Sequence, residues 1–445
     1  MLYMKRVLFV LCVLIGCVGC GSLRNAQKAS GDSEGSIASV YAPQDTVKTS
    51  SAQLDSSKVA TKRVDSTLNS SKDSTLRDST AFSTQKDSTS QTVTQDSVEI
   101  VQDTLEPIRY AFSPVYQTDV YVPAPQEIPA GEFSGITYIG ENRYAVVHDK
   151  LNGGGIVFFD LAISNNGKVL SASSSIPSST SNSKISGRDN EGIAFVPKTA
   201  VNGSDGKDNG TNGETVGTLF VSSESSQSIV EYTLDGKETG RKLAVPSAFA
   251  KNKITPNNGF EALTYNDATK IFWTTTETPL KADGTDSRLL RLQSFNSSLK
   301  ASNQYLYKMD APVKSSSEGS AAKAYVHGVP ALVALDDGSL IVLEREVYVP
   351  NGGLFAKALG SFTRTLLYVV TPGASSKVSA SKTPQVLEKK LLISFSTSAL
   401  NLANFEGMCQ GPELPGGWHT LILVADSQGG SNGLTAEYIK VLAFK

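Results

Sequence analysis

Acidic residues stand at both ends of one hairpin-like stretch of this 445-residue chain, NNGFEALTYNDATKIFWTTTETPL. Glu261 opens its first apolar run, and Glu277 follows its second. Residues that open one strand of a hairpin and close the next lie at the same end of the sheet. Converging carboxylates of this kind bind a hard cation, pair with arginine or raise each other's pKa. The pattern recurs, and the candidate metal ligands are Asp149, Glu191, Glu224, Glu261, Glu277, Glu406 and Asp426.

Calcium is the cation that this pattern favours, because the candidate ligands all bind through oxygen. A bound cation can hold a phosphate oxygen and activate water, which is the chemistry of a metal-assisted phosphoesterase. Arg188 and Arg345 are candidate substrate-binding residues, since a guanidinium holds phosphate or carboxylate through paired hydrogen bonds. His148, adjacent to Asp149, is a candidate general acid or base. The candidate catalytic residues are therefore Glu261, Glu277, Arg345 and His148.

Each of these residues also has a structural alternative. Carboxylates in a repeat fold can accept hydrogen bonds from backbone N–H groups of neighbouring units and so lock the fold closed. Arg345 follows Glu344 directly, and this pair can cross-link two units. His148 can equally lie on the surface. The body of the chain contains no His-x-x-x-His or Cys-x-x-Cys pattern, which disfavours structural zinc.

Short apolar runs bounded by Gly, Asn, Asp and Pro must position these side chains, because helical periodicity is scarce. Five times the chain repeats a phrase of strand, tight turn, strand, polar end and strand, and the copies begin near Phe133, Asn190, Gly259, Val329 and Asn404. Such units must pack on one another to bury both faces. Radial packing predicts an all-β fold, a β-propeller of five to seven blades. Six are favoured, because segments 110–121 and 386–395 offer strands for a sixth.

The N-terminal region predicts export and anchoring. Lys5 and Arg6 precede an apolar run over residues 7–15, which is too short to span a membrane. The following Leu14-Ile15-Gly16-Cys17 resembles a bacterial lipoprotein signal with Cys17 lipidated; Cys20 is a competing position, and an ordinary secretory signal is the alternative. The predicted location is the cell envelope, where lipid holds the protein to a bacterial membrane, either the outer membrane or the cell surface.

Three regions follow from the composition along the chain. Residues 1–20 are the predicted signal peptide and anchor, and residues 21–105 are a predicted disordered tether of repeated Asp-Ser-Thr phrases. Residues 106–445 are the predicted propeller domain. A net charge of −2 and the absence of a basic, aromatic-rich stripe argue against a nucleic-acid partner. The expected partners are a small anionic ester and the membrane, and the expected state is a monomer.

Several phrases of the body resemble the phytase-like domain family, which is described as having esterase-like activity of phytase. They are Arg188-Asp189-Asn190-Glu191-Gly192-Ile193, Asn258-Gly259-Phe260-Glu261-Ala262-Leu263, Thr276-Glu277-Thr278-Pro279-Leu280, Leu340-Ile341-Val342-Leu343-Glu344-Arg345 and Asn404-Phe405-Glu406-Gly407. The resemblance implies a β-propeller and a hydrolase of phosphate or other esters. The aspartate-rich calcium motifs of alkaline propeller phytases are not found here, and Ala262 replaces the glycine that follows the glutamate in other units.

Two functions of different class follow. The first is a membrane-anchored, metal-assisted hydrolase that acts on phosphate esters, such as inositol phosphates, or on other esters at the channel mouth. The alternative is a non-enzymatic propeller that binds a ligand or a protein at the cell envelope, because propellers host both kinds of function.

Overall fold

The computed structural model describes residues 116–118, 132–149, 155–176, 185, 189–198, 217–378, 385–398, 402–427 and 438–445. The predicted signal, both candidate lipidation cysteines, the tether and Arg188 lie outside these residues. Within the described part of the chain, no helix has the length and apolar character needed to cross a membrane.

The described strands form five antiparallel sheets of four strands each, and these are the blades of a propeller. The first blade contains β2 (Phe133–Gly140), β3 (Arg143–His148), β4 (Gly155–Ile163) and β5 (Val169–Ser175). The second contains β6 (Asn190–Pro197), β7 (Gly217–Ser223), β8 (Ser228–Thr233) and β9 (Glu238–Lys242). The third contains β10 (Phe260–Asn266), β11 (Ile271–Thr276), β12 (Leu289–Phe295) and β13 (Ala301–Lys308).

The fourth blade contains β14 (Ala324–Ala334), β15 (Leu340–Val349), β16 (Phe362–Val370) and β17 (Lys389–Ser398). The fifth contains β18 (Asn404–Gln410), β19 (His419–Asp426) and β20 (Ile439–Phe444), and it is completed by β1 (Tyr116–Thr118). The short helices of the described chain are α1 (Ser316–Ala321), α2 (Leu354–Gly360) and 3-10 turns at Ser247–Phe249, Lys251–Lys253, Lys281–Asp283 and Ala374–Ser376.

The prediction of a β-propeller is confirmed, and the blade number is five rather than the favoured six. The two segments considered for a sixth blade are used elsewhere. Strand β1 pairs with β20 from Tyr116 opposite Val441 to Thr118 opposite Ile439, and so completes the fifth blade. Strand β17 is the outermost strand of the fourth blade, where it pairs with β16.

Apolar contacts between neighbouring blades make up the core. Each of five hydrophobic clusters combines side chains of two adjacent sheets, and together the clusters fill all five interfaces of the ring. Strand β19 contains an unbroken apolar run, Leu421 to Ala425. Ile422 and Val424 pack towards the first blade, whereas Leu421 and Leu423 pack towards the fourth. Because side chains alternate across a strand, a strand buried on both faces needs an unbroken apolar run.

Candidate functional site

The five innermost strands share a local irregularity at one end of the channel. In each of them the pairing register with the next strand shifts: between Phe133 and Ile136, Asn190 and Ile193, Phe260 and Ala262, Gly328 and Ala331, and Phe405 and Gly407. Such bulges leave a residue unpaired and re-aim its side chain. Glu191, Glu261 and Glu406 stand at three of the five bulges. The backbone bulges therefore set the direction in which these glutamate side chains point.

Close approach of neighbouring strands explains the glycine that follows two of these acids. A Cβ on Gly192 would lie 2.5 Å from the backbone oxygen of Glu261 in the next blade. A Cβ on Gly407 would lie 2.3 Å from the backbone oxygen of Ser134. The Glu-Gly pair thus combines an inward carboxylate with a contact that only glycine permits.

These side chains surround a cavity of about 300 Å³. Its described lining is mostly acidic and includes one base, and it consists of Glu132, Ser134, Asp149, Asp189, Glu191, Glu224, Asn257, Glu261, Arg345, Glu406 and Asp426. The structure therefore brings six of the seven candidate metal ligands into the lining of one cavity. The seventh, Glu277, is outside the lining and instead contacts Arg345.

Three of the acids form a group that can bind a metal ion. One carboxylate oxygen from each of Glu191, Glu224 and Glu261 lies within 4.8 Å of the others. The group contains no nitrogen or sulfur atom, and a donor set of oxygens alone suits a hard cation. The residues present therefore fit a cation of that class.

Burial and mutual repulsion raise the pKa values of the triad. Burial is the main cause for Glu224, followed by the carboxylates of Glu277 and Asp189, and the pKa reaches about 7 although the N–H of Gly259 opposes the rise. Burial, then Glu191 and Glu277, raises the pKa of Glu261 well above its usual range. The pKa of Glu191 is raised in the same way, by burial first. A cation bound to the triad would displace the protons that the raised pKa values keep on these carboxyl groups.

Arg345 connects three blades beside the triad. Its Nη2 donates to Oε1 of Glu277 at 2.7 Å, and its Nη1 donates to Oε1 of Glu406 and, at 3.0 Å, to Oδ1 of Asn404. Burial lowers the pKa of Arg345, but the neighbouring carboxylates, Glu406 first, outweigh it and raise the pKa well above the usual range. The guanidinium stays charged, and its Nε–H has no hydrogen-bond acceptor among the described residues.

Two of the acids that line the cavity also form hydrogen bonds that hold neighbouring blades together. Oε1 of Glu224 accepts a hydrogen bond of 2.6 Å from the backbone N–H of Gly259, at the entrance to the third blade. Oδ1 of Asp426, in the fifth blade, accepts one of 2.9 Å from the N–H of Glu132, which precedes the first blade. The structural alternative considered from the sequence therefore applies to these two carboxylates.

Two residues from the sequence analysis lie apart from the cavity. His148 is completely buried and is not among the lining residues; its ring packs edge-on against Phe133 at 5.1 Å between centroids. Glu344 is buried between the third and fourth blades, where it accepts hydrogen bonds from the Tyr307 hydroxyl at 2.5 Å and from Lys389 at 2.6 Å. Glu344 and Arg345 are consecutive in β15 and so lie on opposite faces of the sheet.

Three lining residues that sequence patterns did not identify share a backbone conformation. Glu132, Asp189 and Asn257 have φ values of 61°, 57° and 56°. Glu132 and Asp189 immediately precede an inner strand, and Asn257 precedes β10 by three residues. Asn and Asp are the residues other than glycine that most readily adopt this left-handed region. A polar residue shortly before three of the five inner strands, β2, β6 and β10, was the signal available in the sequence.

The phytase-like family, described as "Esterase-like activity of phytase", matches this chain over residues 128–428. The chain belongs to this family. The match includes every residue that lines the cavity, so the acidic site of this phytase-like chain lies wholly inside the family domain. A comparison with curated proteins gives no match.

Solved structures with a similar arrangement share little sequence with this phytase-like chain. A DUF4221 family member from Bacteroides vulgatus is 9% identical, with 74% of this chain and 98% of that chain covered and a TM-score of 0.34. The allergen Mala s 1 of Malassezia sympodialis is 12% identical, with 70% and 78% covered and a TM-score of 0.28. The PQQ-bound aldose sugar dehydrogenase of Streptomyces coelicolor is 12% identical, with 76% and 99% covered and a TM-score of 0.31. Similarity at this level supports no statement about chemistry.

Proposed function

We propose that this protein is an exported, membrane-anchored, phytase-like hydrolase that cleaves esters of small anionic molecules in the acidic cavity. The bond cleaved is a phosphate ester or another ester. The observation that carries the proposal is the position of the Glu191–Glu224–Glu261 triad and Arg345 in the lining of one cavity. Membership of the phytase-like family supports the same class of reaction.

The triad would hold a divalent cation, of which calcium is the first candidate. When bound, the cation supplies charge for the ester oxygen and acidity for a water molecule. In phosphate ester hydrolysis the water oxygen forms a bond to phosphorus, the ester P–O bond breaks, and the alcohol leaves with a proton from that water. Arg345, held by Glu277 and Glu406, places a positive charge in the cavity lining that orients an anionic substrate.

Activity assays with matched variants test the hydrolase. The full mature protein is assayed on p-nitrophenyl phosphate, p-nitrophenyl acetate and inositol hexakisphosphate, with and without a chelator. We expect turnover of at least one ester, and a loss of at least about a hundredfold with chelator or in Glu191→Gln and Glu261→Gln. Glu238→Gln, on the exposed strand β9, is the matched control. Full activity in a chelator-treated, metal-free protein would contradict the metal-assisted reaction.

A second candidate function is a non-enzymatic binding module. The hydrogen bonds that Glu224 and Asp426 accept from backbone N–H groups favour it, because those carboxylates already have a structural role. No turnover of any of the three esters by a folded protein would favour this candidate over the hydrolase.

Anchoring has its own test. We expect a lipid on Cys17, with Cys20 as the alternative position, and the protein in the cell envelope as a monomer. Metabolic labelling with palmitate should be lost in Cys17→Ser and retained in Cys20→Ser. Loss of palmitate labelling in Cys20→Ser alone would assign the lipid to Cys20. Absence of labelling in the wild-type protein and in both variants would contradict a lipid anchor.

A further inference from the structure

The second strand of the fourth blade extends beyond the level of the acidic cavity. In the other blades this strand ends at or next to one of the candidate acids, with β3, β7, β11 and β19 ending at His148, Ser223, Thr276 and Asp426. Strand β15 instead continues past the cavity residue Arg345 to Val349, paired there with residues 324–327 of β14. At about 3.3 Å per residue, this extension reaches about 13 Å past Arg345. We call residues 324–327 and 346–361 the finger.

Packing at its base supports the finger, since two paired strands alone are only marginally stable. The ring of Tyr348 lies between those of Tyr325 and Phe362, at 6.5 Å and 5.7 Å between centroids. The side-chain amide of Asn351 donates a hydrogen bond to the carbonyl of Ala321 at the end of α1. The tip of the finger, helix α2, is therefore held away from the body of the propeller.

The apolar residues of α2 face away from the protein. Leu354, Phe355 and Leu359 are 58%, 50% and 87% exposed, and they are three of the seven large hydrophobic side chains that are exposed in the described chain. Lys357 and Ala358 are the half-buried positions, and no residue of the helix is buried. A helix that packs on a protein core shows the opposite order, with its apolar stripe inward and its charges outward. This helix therefore presents its apolar side chains to a partner outside the described chain.

The size of α2 favours a lipid bilayer over a protein as that partner. Seven helical residues are about 10 Å long. A Cβ on Gly353, at the start of the helix, would meet no atom within 4 Å, so no neighbouring surface enlarges the tip there. A stable protein interface buries about 800 Å² on each partner, which a tip of this size does not provide. A bilayer accepts an isolated apolar helix and needs no complementary shape.

The charges near the tip complement lipid phosphates. Lys357 lies in α2 and Lys323 immediately precedes β14, and neither side chain forms an ion pair among the described residues. The acid of the finger, Glu346, is buried and accepts hydrogen bonds from two backbone N–H groups. Glu318 of the neighbouring helix α1 pairs with Lys314 at 2.9 Å. Two unpaired ammonium groups beside an apolar tip suit anionic headgroups.

We propose that α2 inserts into the headgroup region of a lipid bilayer and turns the cavity end of the propeller towards the membrane. The inference goes beyond the proposed function, because it needs neither catalysis nor a lipid attached to the chain. The acidic cavity does not oppose this contact, since Arg345 lies about 13 Å below the end of β15 and charges act over roughly 8 Å at physiological ionic strength. Three side chains bind weakly, so the proposed lipid on Cys17 supplies the second attachment that stable anchoring needs.

Vesicle binding tests the proposal. The full chain without its signal peptide carries Cys17→Ser and Cys20→Ser, so that no lipid is attached, and is sedimented with vesicles of phosphatidylcholine and phosphatidylglycerol in equal parts. Phe355→Gln and Leu359→Gln together should weaken binding by at least about tenfold, because less apolar surface enters the bilayer. Leu170→Gln is the matched control, at a leucine that is 66% exposed on β5, and should leave binding unchanged. No binding by the parent protein, or equal binding by the double variant and the control, would overturn the proposal.

A fluorescent probe separates insertion from adsorption. The emission of an environment-sensitive dye on Leu359→Cys should shift to shorter wavelength on vesicles, and that of a dye on Leu170→Cys should not; the natural Cys409 is buried. Lys323→Gln and Lys357→Gln together should weaken binding to the anionic vesicles by about tenfold and leave binding to pure phosphatidylcholine unchanged. Unchanged emission of the dye on α2 while the protein is bound would overturn insertion.

Two further outcomes distinguish this inference from its competitors. A dimer in sedimentation velocity that Phe355→Gln and Leu359→Gln abolish, without vesicle binding by the parent protein, would overturn the proposal in favour of a second copy of the chain. Vesicle binding through α2 by a protein that hydrolyses none of the esters would end the hydrolase and leave the membrane contact in place.

Discussion

Arg345 of the fourth blade donates from Nη2 to Oε1 of Glu277, which follows β11 of the third blade, at a distance of 2.7 Å. The two side chains are only 6% and 4% exposed. The second terminal nitrogen of Arg345 contacts Glu406 of the fifth blade. One guanidinium thus joins three blades beside the acidic triad, and two of its carboxylate partners are residues that the sequence marks as candidate ligands.

The first prediction concerns this buried ion pair. Arg345→Met should lower the free energy of unfolding by about 3–5 kcal/mol, because Glu277 and Glu406 would remain buried without their cationic partner. Urea denaturation followed by tryptophan fluorescence or circular dichroism measures it. Lys270→Gln is the control: Lys270 and Asp267 form a pair that is 43% and 51% exposed, and its loss should cost less than about 1 kcal/mol. Equal costs for the two variants would contradict the prediction.

The second prediction concerns blade packing. Gly192→Ala should lower the free energy of unfolding by about 1–3 kcal/mol, because the added Cβ would approach the Glu261 carbonyl oxygen to 2.5 Å. The same substitution at Gly353, where a Cβ meets nothing within 4 Å, should cost less than about 1 kcal/mol, which is the preference of an N-cap position for glycine over alanine. Thermal unfolding of both variants measures the difference. A Gly192→Ala protein as stable as the control would show that the inner strands can separate.

The third prediction concerns pH. Burial raises the pKa of Glu224 from its ordinary value near 4.5 to about 7, so the folded state holds this proton more tightly than the unfolded state. The stability that this proton contributes is present at pH values below the ordinary pKa and is lost as the pH rises through about 7. The Tm of metal-free protein should therefore fall between about pH 5 and pH 8, and Glu224→Gln should flatten the change.

Metal binding should show the opposite dependence on pH. A cation must displace the proton of Glu224, so calcium or manganese affinity should rise as the pH increases through about 7. Isothermal titration at several pH values measures this, and the increase in Tm on adding metal should be larger at pH 8 than at pH 5.5. An affinity independent of pH across this interval would exclude Glu224 as a ligand.

The fourth prediction concerns ring closure by β1. Gln117 and Thr118 lie opposite Lys440 and Ile439 in an antiparallel pair. Consecutive N–H groups of such a strand alternate between the partner strand and the open edge. Proline removes the N–H, so one of Gln117→Pro and Thr118→Pro should lower the Tm by roughly 5 °C, and the other should have little effect. Two neutral variants would show that β1 is not needed for closure.

The three inner strands of each blade were predictable from the sequence, whereas the outermost strands of the first three blades were not, and those of the last two, β17 and β1, were expected in a sixth blade. The repeated apolar runs identify β2, β6, β10, β14 and β18 and the two strands that follow each of them. Strand β9 is exposed along its whole length, Glu238–Lys242, and β5 ends within a serine-rich segment. An outermost strand buries little surface and therefore carries no strict alternation of apolar residues. For the same reason the sequence of β1 does not specify its blade. The prediction considered it for a sixth blade, and in the structure it completes the fifth.

The candidate site was predictable in its residue types and not in its pairings. The sequence by itself determined that glutamates recur where inner strands begin. It also determined that the apolar strands attached to them pack radially and so bring the glutamates into one ring. Only the tertiary structure decided that Glu191, Glu224 and Glu261 form one group while Glu277 binds Arg345. Those choices depend on backbone bulges and on contacts between blades far apart along the chain. Local sequence preferences specify a strand, but the closure of five sheets around one axis sets the distances between their side chains.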